Sequence, residues 1–322
     1  MSKANRIGAV IFSTLFSLLL IYRFAPHVAL TAIYKFYAFR AGVSEFSAEL
    51  TTPENASDAA RPYRLPYYKG GQGPVLVLLH GFGDSKISFL QTARYLTSQY
   101  TVILPAVPGF GETERDPALK YGAHDQARRL LRFLNQIDAL SDGPILLGGN
   151  SMGGHISAAF ALAYPEHVRR LILLDPAGLQ IDGTGTYAPD QSPLKTDADF
   201  EAQLDRTFVE KPYVPGPVRK ALIARAADDF DWLNRVRADL RADSDYRLND
   251  RIQKLNIPTL IVWGDHDQII SPAHAEYWHA HVPDSKLVIL KDMGHAPQYE
   301  RPEETARVIL EFLQTPAKAG GD

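Results

Sequence analysis

Gly149-Asn150-Ser151-Met152-Gly153 places a serine between glycines two residues to either side. It follows the apolar run at residues 145–147 and leads directly into a helical pattern over Met152–Ala163. A sharp strand–turn–helix elbow of this kind forces strained dihedrals on the serine. Its flanking positions must lack bulk for strand and helix to approach. The serine then stands at a helix N-terminus, where backbone N–H groups favour developing negative charge. Its chemistry would be nucleophilic attack on a carbonyl, which needs a base and an acid that orients the base.

His295 fits the base. It lies in Met293-Gly294-His295-Ala296-Pro297, on a glycine-hinged loop just past the apolar run at 287–290. Other histidines have ordinary roles: His80 belongs to a turn and His155 rides on the helix after Ser151. His274, His279 and His281 crowd one helix, but their spacings set no metal-binding pair on one face, so they read as solvated. For the acid, Asp267 comes four residues past the run at 260–263 and is the first choice. Asp265, suited to fixing the turn through its own backbone, and Asp175, which ends the run at 171–174, compete for that role. This chemistry needs no metal and no organic cofactor.

His80-Gly81-Phe82-Gly83 follows the apolar run at 75–79. A glycine-lined turn there can aim the Phe82 N–H into the site, to form an oxyanion hole with the N–H of Met152. Losing one such donor typically costs a factor of about 10²–10³ in rate. His80, Gly81, Phe110, His155, Phe208 and Trp232 are the expected substrate contacts, with Phe200 a further candidate. Plain packing is the competing role for each aromatic among them.

These residues must be carried by a particular scaffold. Short apolar runs at 75–79, 101–104, 145–147, 171–174, 260–263 and 287–290 alternate with helical patterns at 123–137, 152–163, 273–281 and 302–313. Such alternation implies an α/β class with a mostly parallel sheet covered on both faces. It breaks once, over 178–257, a polar and proline-divided stretch too long for a plain loop. That stretch reads as an inserted cap of three or four short helices. Residues 51–64, polar and proline-broken, read as a linker or an early surface strand.

Residues 7–22 carry no charge and are flanked by Lys3, Arg6 and Arg23. Sixteen helical residues span roughly 24 Å, slightly short of a hydrocarbon core of about 30 Å. Tyr22 and snorkelling arginines can cover the mismatch, so the run reads as a single-pass anchor. A cleaved export signal is the competing reading; Ala-x-Ala spacing is absent just past the run. The aromatic stretch at 28–39 reads as an interfacial helix on the membrane. The expected layout is anchor and interfacial helix over 1–45, a core in two parts at 46–177 and 258–315, the cap at 178–257, and a disordered tail at 316–322.

A net charge of −3 argues against a nucleic-acid partner, which would require clustered basic charge. With no cysteine in 322 residues, disulfides, thiolate metal sites and a cysteine nucleophile are all excluded.

From about residue 74 to 313 the chain resembles an α/β-hydrolase-fold serine hydrolase. The resemblance rests on His80-Gly81-Phe82-Gly83, Pro108-Gly109-Phe110-Gly111, Gly149-Asn150-Ser151-Met152-Gly153, Gly264-Asp265-His266-Asp267 and Gly294-His295. The order Ser, Asp, His along the chain is that of the family. More narrowly, the apolar start, Ser151-Met152-Gly153-Gly154, Asp175-Pro176-Ala177-Gly178-Leu179 and Glu300-Arg301-Pro302 are similar to the membrane-anchored monoacylglycerol lipase branch. That resemblance implies hydrolysis of monoacylglycerols and other lipid esters at the triad positions above. A small-ester esterase or carbon–carbon bond hydrolase would use the same triad. A binding protein on this fold would usually have lost one of its members.

Overall fold

A computed structural model describes residues 25–51, 62–181, 192–242 and 247–316. In chain order the elements are α1 (Pro26–Ala41), β1 (Val43–Thr51), β2 (Pro62–Gly70), β3 (Val75–Leu79), α2 (Leu90–Ala93) and β4 (Thr101–Pro105). Then come α3 (Ala123–Gln136), β5 (Ile145–Asn150), α4 (Met152–Ala163), β6 (Val168–Leu174), α5 (Asp197–Thr207) and α6 (Gly216–Ala242). The chain closes with β7 (Thr259–Gly264), α7 (Ala273–His281), β8 (Ser285–Leu290), α8 (Pro297–Glu300) and α9 (Pro302–Gln314).

Eight strands form one sheet in the order β1-β2-β4-β3-β5-β6-β7-β8. The β1–β2 and β2–β4 pairs are antiparallel, and every later pair is parallel. Strand side chains alternate between two apolar clusters because successive Cβ atoms point to opposite faces. Val77, Leu79, Leu171, Leu173, Ile261 and Trp263 join Phe133, Ile156 and Trp278 on one face. Leu76, Leu78, Ile172, Leu174, Leu260 and Val262 join Leu90, Ile309 and Phe312 on the other. A sheet buried on both sides is why these runs read as continuously apolar.

Three features differ from the sequence expectations. Residues 43–51 and 62–70 form the paired strands β1, at the sheet edge, and β2, between β1 and β4, a pairing longer than the linker or early surface strand expected at 51–64; Pro62 and Pro66 within the second arm obscured its extent. Strand β1 begins before the expected core boundary at 46. Between β6 and β7 the described residues form the 11-residue α5, the 27-residue α6 and a short 3₁₀ turn, Ile252–Lys254, rather than several short helices. The prolines that suggested further breaks cluster ahead of α6, with Pro217 in its first turn, where a missing N–H costs nothing.

The expected anchor at 7–22 and the tail beyond 316 lie outside the described residues. Among the described residues no helix is long and apolar enough to cross a membrane. The stretch at 28–39 falls within α1, which leaves Val28, Ile33, Phe36 and Phe39 exposed and buries Ala38 and Ala41 against the core.

Candidate active site

Ser151 sits between β5 and α4 with φ 55° and ψ −117°, a conformation L side chains rarely adopt. Its neighbours explain how the turn survives. A Cβ on Gly149 would fall 2.5 Å from the Gly153 carbonyl carbon, and one on Gly153 would fall 2.2 Å from the Leu79 oxygen. Backbone bonds then hold the elbow: the Ser151 N–H donates to the Leu174 carbonyl (2.9 Å), and the Ala177 N–H donates to the Ser151 carbonyl (3.0 Å).

The loops after β7 and β8 bring the base and acid together. His295 Nδ1 donates to Asp267 Oδ2 at 2.6 Å, which leaves Nε2 as the nitrogen available to the cavity. The other oxygen of Asp267 accepts from the N–H groups of Ile269 (2.7 Å) and Ile270 (2.9 Å). Both side chains are nearly dry, His295 9% exposed and Asp267 0%. Asp265 instead bonds its neighbour's ring, His266 Nδ1 at 2.6 Å, and the Met293 N–H at 3.3 Å.

Asp175, the other competitor, is fully buried and held at φ 44°. Its Oδ1 accepts the Gly264 N–H (2.9 Å), while Oδ2 has no partner among the described residues. Burial, with the Asp267 charge second, pushes the Asp175 carboxyl well above the usual carboxylate range. Asp175, Asp267 and His295 bring three ligand atoms within 4.8 Å of one another. The His295 and backbone N–H donors already engage the Asp267 oxygens that a cation would need, so the cluster fits a hydrogen-bonded relay better than a metal centre.

Residues that sequence reasoning missed tie these loops together. Asn150 Nδ2 donates to the His295 carbonyl (3.0 Å), and its Oδ1 accepts from Gln298 Nε2 (3.1 Å). Glu300 accepts three backbone N–H groups: Gly294 at 3.0 Å, Val209 at 3.1 Å and Glu210 at 2.8 Å. The His295 N–H itself donates to the Thr207 carbonyl at the end of α5 (2.8 Å). The segment between β6 and β7 is therefore bonded directly to the histidine loop. The one local hint was the run of polar residues closely following His295.

A cavity of about 580 Å³ opens over Ser151, lined on the sheet side by Gly81, Phe82, Met152, His155 and His295 and on the other by residues of α5 and α6 and by Phe208, which follows α5. A Cβ on Gly81 would stand 3.5 Å from the Ser151 Cβ, which sets the 80–83 turn against the serine. Among the described residues nothing accepts from the N–H groups of Phe82 or Met152.

Three expected substrate contacts lie behind this wall rather than on it. His80 spends both ring nitrogens on backbone: Nδ1 meets the Gly81 carbonyl (2.8 Å) and Nε2 accepts the Val107 N–H (2.9 Å). Burial also lowers its pKa, in keeping with a neutral structural ring. Phe110 packs edge-on between the His80 and Phe82 rings, and Trp232 donates to the Gly109 carbonyl at 2.7 Å. Phe200 is buried beneath α5 with Arg219 over its ring. Of the α7 histidines, His274 is buried and stacked on Trp263 rather than solvated.

Residues 74–302 match the family model described as alpha/beta hydrolase fold. Lipase 1 of Psychrobacter immobilis is 32% identical over 251 residues, 76% of this chain and 78% of that protein. Human monoacylglycerol lipase ABHD6 is 26% identical over 257 residues, 76% of each chain. A crystal structure of a membrane phospholipase A, described as a bacterial virulence factor, superposes with a TM-score of 0.79 at 30% identity, covering 97% of this chain and 98% of that one.

Proposed function

Because this chain belongs to the alpha/beta hydrolase fold family, we propose that it is a serine hydrolase of carboxylic esters acting on acyl lipids such as monoacylglycerols. The observation that carries the mechanism is the buried 2.6 Å bond from His295 to Asp267, facing a cavity that also holds the strained Ser151. His295 Nε2 takes the Ser151 proton as Oγ attacks the ester carbonyl. Asp267 holds the tautomer and stabilises the imidazolium that forms. The N–H groups of Phe82 and Met152 receive the oxyanion. The protonated imidazole then gives its proton to the departing alcohol, and water, activated by the same nitrogen, releases the fatty acid.

Residues 178–257 act as a cap in this reading, closing the cavity from the side opposite the sheet. Residues 7–22 serve as a membrane anchor, and the exposed apolar side of α1 lies along the bilayer surface beside it. Tethering of that kind raises the local concentration of amphiphilic esters.

The test is hydrolysis of p-nitrophenyl esters of increasing acyl length by the full chain in detergent, beside Ser151→Ala. The expected result is a maximum at medium or long chains and a loss of at least ~10³-fold in the variant. Turnover that survives Ser151→Ala would sink the reading.

A further inference from the structure

Charge is unevenly spread along the chain. Lys3, Arg6, Arg23, Lys35 and Arg40 fall within residues 1–44, which contain no Asp or Glu, although the whole chain carries −3. Two of these cations are placed by α1. At about 100° per residue, Val28, Ala32, Phe36 and Phe39 form one stripe bordered by Lys35 on one side and Arg40 on the other, opposite the buried Ala38 and Ala41. That stripe faces outward: Phe36 is 53% exposed and Phe39 80%, while the other side of α1 packs on α2 and α6. Arg40 stands 5.8 Å from the centroid of the Phe36 ring. It shares a small hollow between α1 and α2 with Arg94, which follows α2 and lies 5.1 Å from the Tyr95 ring. Lys35, Arg40 and Arg94 are all exposed. The uncharged run at 7–22 ends three residues short of Pro26, where α1 begins, so the stripe stands close to the chain that would enter a membrane.

We propose that α1, with Arg94 beside it, is a docking surface for an anionic bilayer: Phe36 and Phe39 enter the acyl boundary while Lys35, Arg40 and Arg94 meet headgroup phosphates. This rests on the reading of residues 7–22 as an anchor and adds the lipid class, which an uncharged run does not select. Rings bordered by long basic side chains suit a helix lying in the headgroup layer, with the stems covering apolar surface and the charges at phosphate level. A neutral bilayer accepts the rings but offers the cations no net attraction. Each basic side chain at an anionic surface shifts docking by about fivefold, so three together give roughly 100-fold. A second copy in isologous contact would set the basic borders of this face against themselves.

The chain has no cysteine, so Phe39→Cys gives the full chain one labelling site on the stripe. With a nitrobenzoxadiazole label there, the protein is reconstituted into vesicles of phosphatidylcholine alone or with about 40% phosphatidylglycerol, each carrying an acyl-chain nitroxide quencher. Quenching should be clearly stronger in the anionic vesicles, and Lys35→Gln/Arg40→Gln/Arg94→Gln should lose that gain. Raising salt from about 0.05 to about 0.5 M should weaken it in the chain with all three cations, a readout that depends on no charge variant folding. Equal quenching in the two lipids, or a gain unmoved by both salt and glutamine, overturns the anionic surface while the chain still floats with the vesicles. An unquenched site whose unlabelled thiol is joined in pairs by a short bismaleimide gives the face to a second copy and overturns it too. A full chain that floats with neither vesicle overturns the anchor reading itself, and the surface falls with it.

Discussion

Strands β5 and β7 bury every one of their residues, whereas the 27-residue α6 buries only Val218, Val236 and Leu240, and α5 only Phe200. The sheet is held by apolar area on both faces, whereas α5 and α6 add polar tethers to the few apolar residues they bury. Trp232 reaches the Gly109 carbonyl at 2.7 Å, Lys120 pairs with Asp239 at 3.6 Å, and Arg115 pairs with Asp229. A neutral hydrogen bond contributes about 0.5–1.5 kcal/mol net, and an exposed ion pair less. Local opening of α5 and α6 should therefore cost less than opening the sheet. The proposed triad straddles this divide: Ser151 is set by close backbone contact in the core, and the His295 loop is bonded to both halves.

Breaking the core side should have the largest effect. In Gly153→Val the new Cβ would meet the Leu79 and His80 carbonyl oxygens at 2.2 and 2.6 Å, and backbone on both sides has nowhere to go. We expect either no folded protein or a folded fraction with activity reduced by at least ~10²-fold, since misplacing a nucleophile by about 1 Å costs that much. Circular dichroism with kcat/KM on a short ester separates the two. A variant with normal melting and normal turnover would mean that the elbow is not rigid.

Glu300→Gln probes the seam. The carboxylate accepts N–H groups from the histidine loop and from the end of α5, whereas an amide keeps one acceptor oxygen and turns an NH₂ toward the other donors. Losing charge-assisted bonds to backbone should cost about 1–3 kcal/mol. Because Gly294 precedes His295, the loss should fall on kcat, by about tenfold, more than on KM. Equal loss on both, or none on either, would show that the cap does not help position the base.

The same divide sets what could be read from the residues alone. Ser151, Asp267 and His295 were legible because each sits in a short local motif at the end of an apolar run. Strands β3 to β7 were legible because burial on both faces leaves nearly unbroken apolar segments, and the edge strand β8 because its run at 287–290 is apolar although only Leu290 is buried. The β1–β2 pair was legible only as the alternative of an early surface strand at 51–64, since β1 and β2 mix apolar residues with polar ones and β2 adds two prolines. Nor was α6 legible, since its face toward the core is nearly as polar as its face toward solvent. Asn150, Gln298 and Glu300 act at least in part through partners far away in sequence, such as Asn150 and Gln298, 148 positions apart, and no local pattern reports that. His80 and Trp232 misled in another way: both have the right chemistry for a pocket, yet each spends its polar atoms on backbone outside it.

Asp175 offers the smallest and most selective test, because it puts a buried acid on the otherwise apolar core side. Burial raises its carboxyl pKa in the folded chain well above that of the unfolded chain, which is about 4. A folded-state pKa raised in this way contributes stability below the unfolded value and loses it as pH rises through the folded one. Asp175→Asn puts a non-titrating amide of similar shape in place of the acid, and the amide oxygen can still accept the Gly264 N–H. The variant's melting temperature relative to wild type should therefore rise with pH, by a few degrees between about pH 4 and pH 9. Ester hydrolysis should keep its pH profile, because His295 is oriented by Asp267 through its own 2.6 Å bond. A melting difference that stays constant with pH would mean that Asp175 carries its charge in the folded protein. A large loss of turnover would instead make Asp175 a working partner of the histidine and weaken the division between a structural core acid and a functional one.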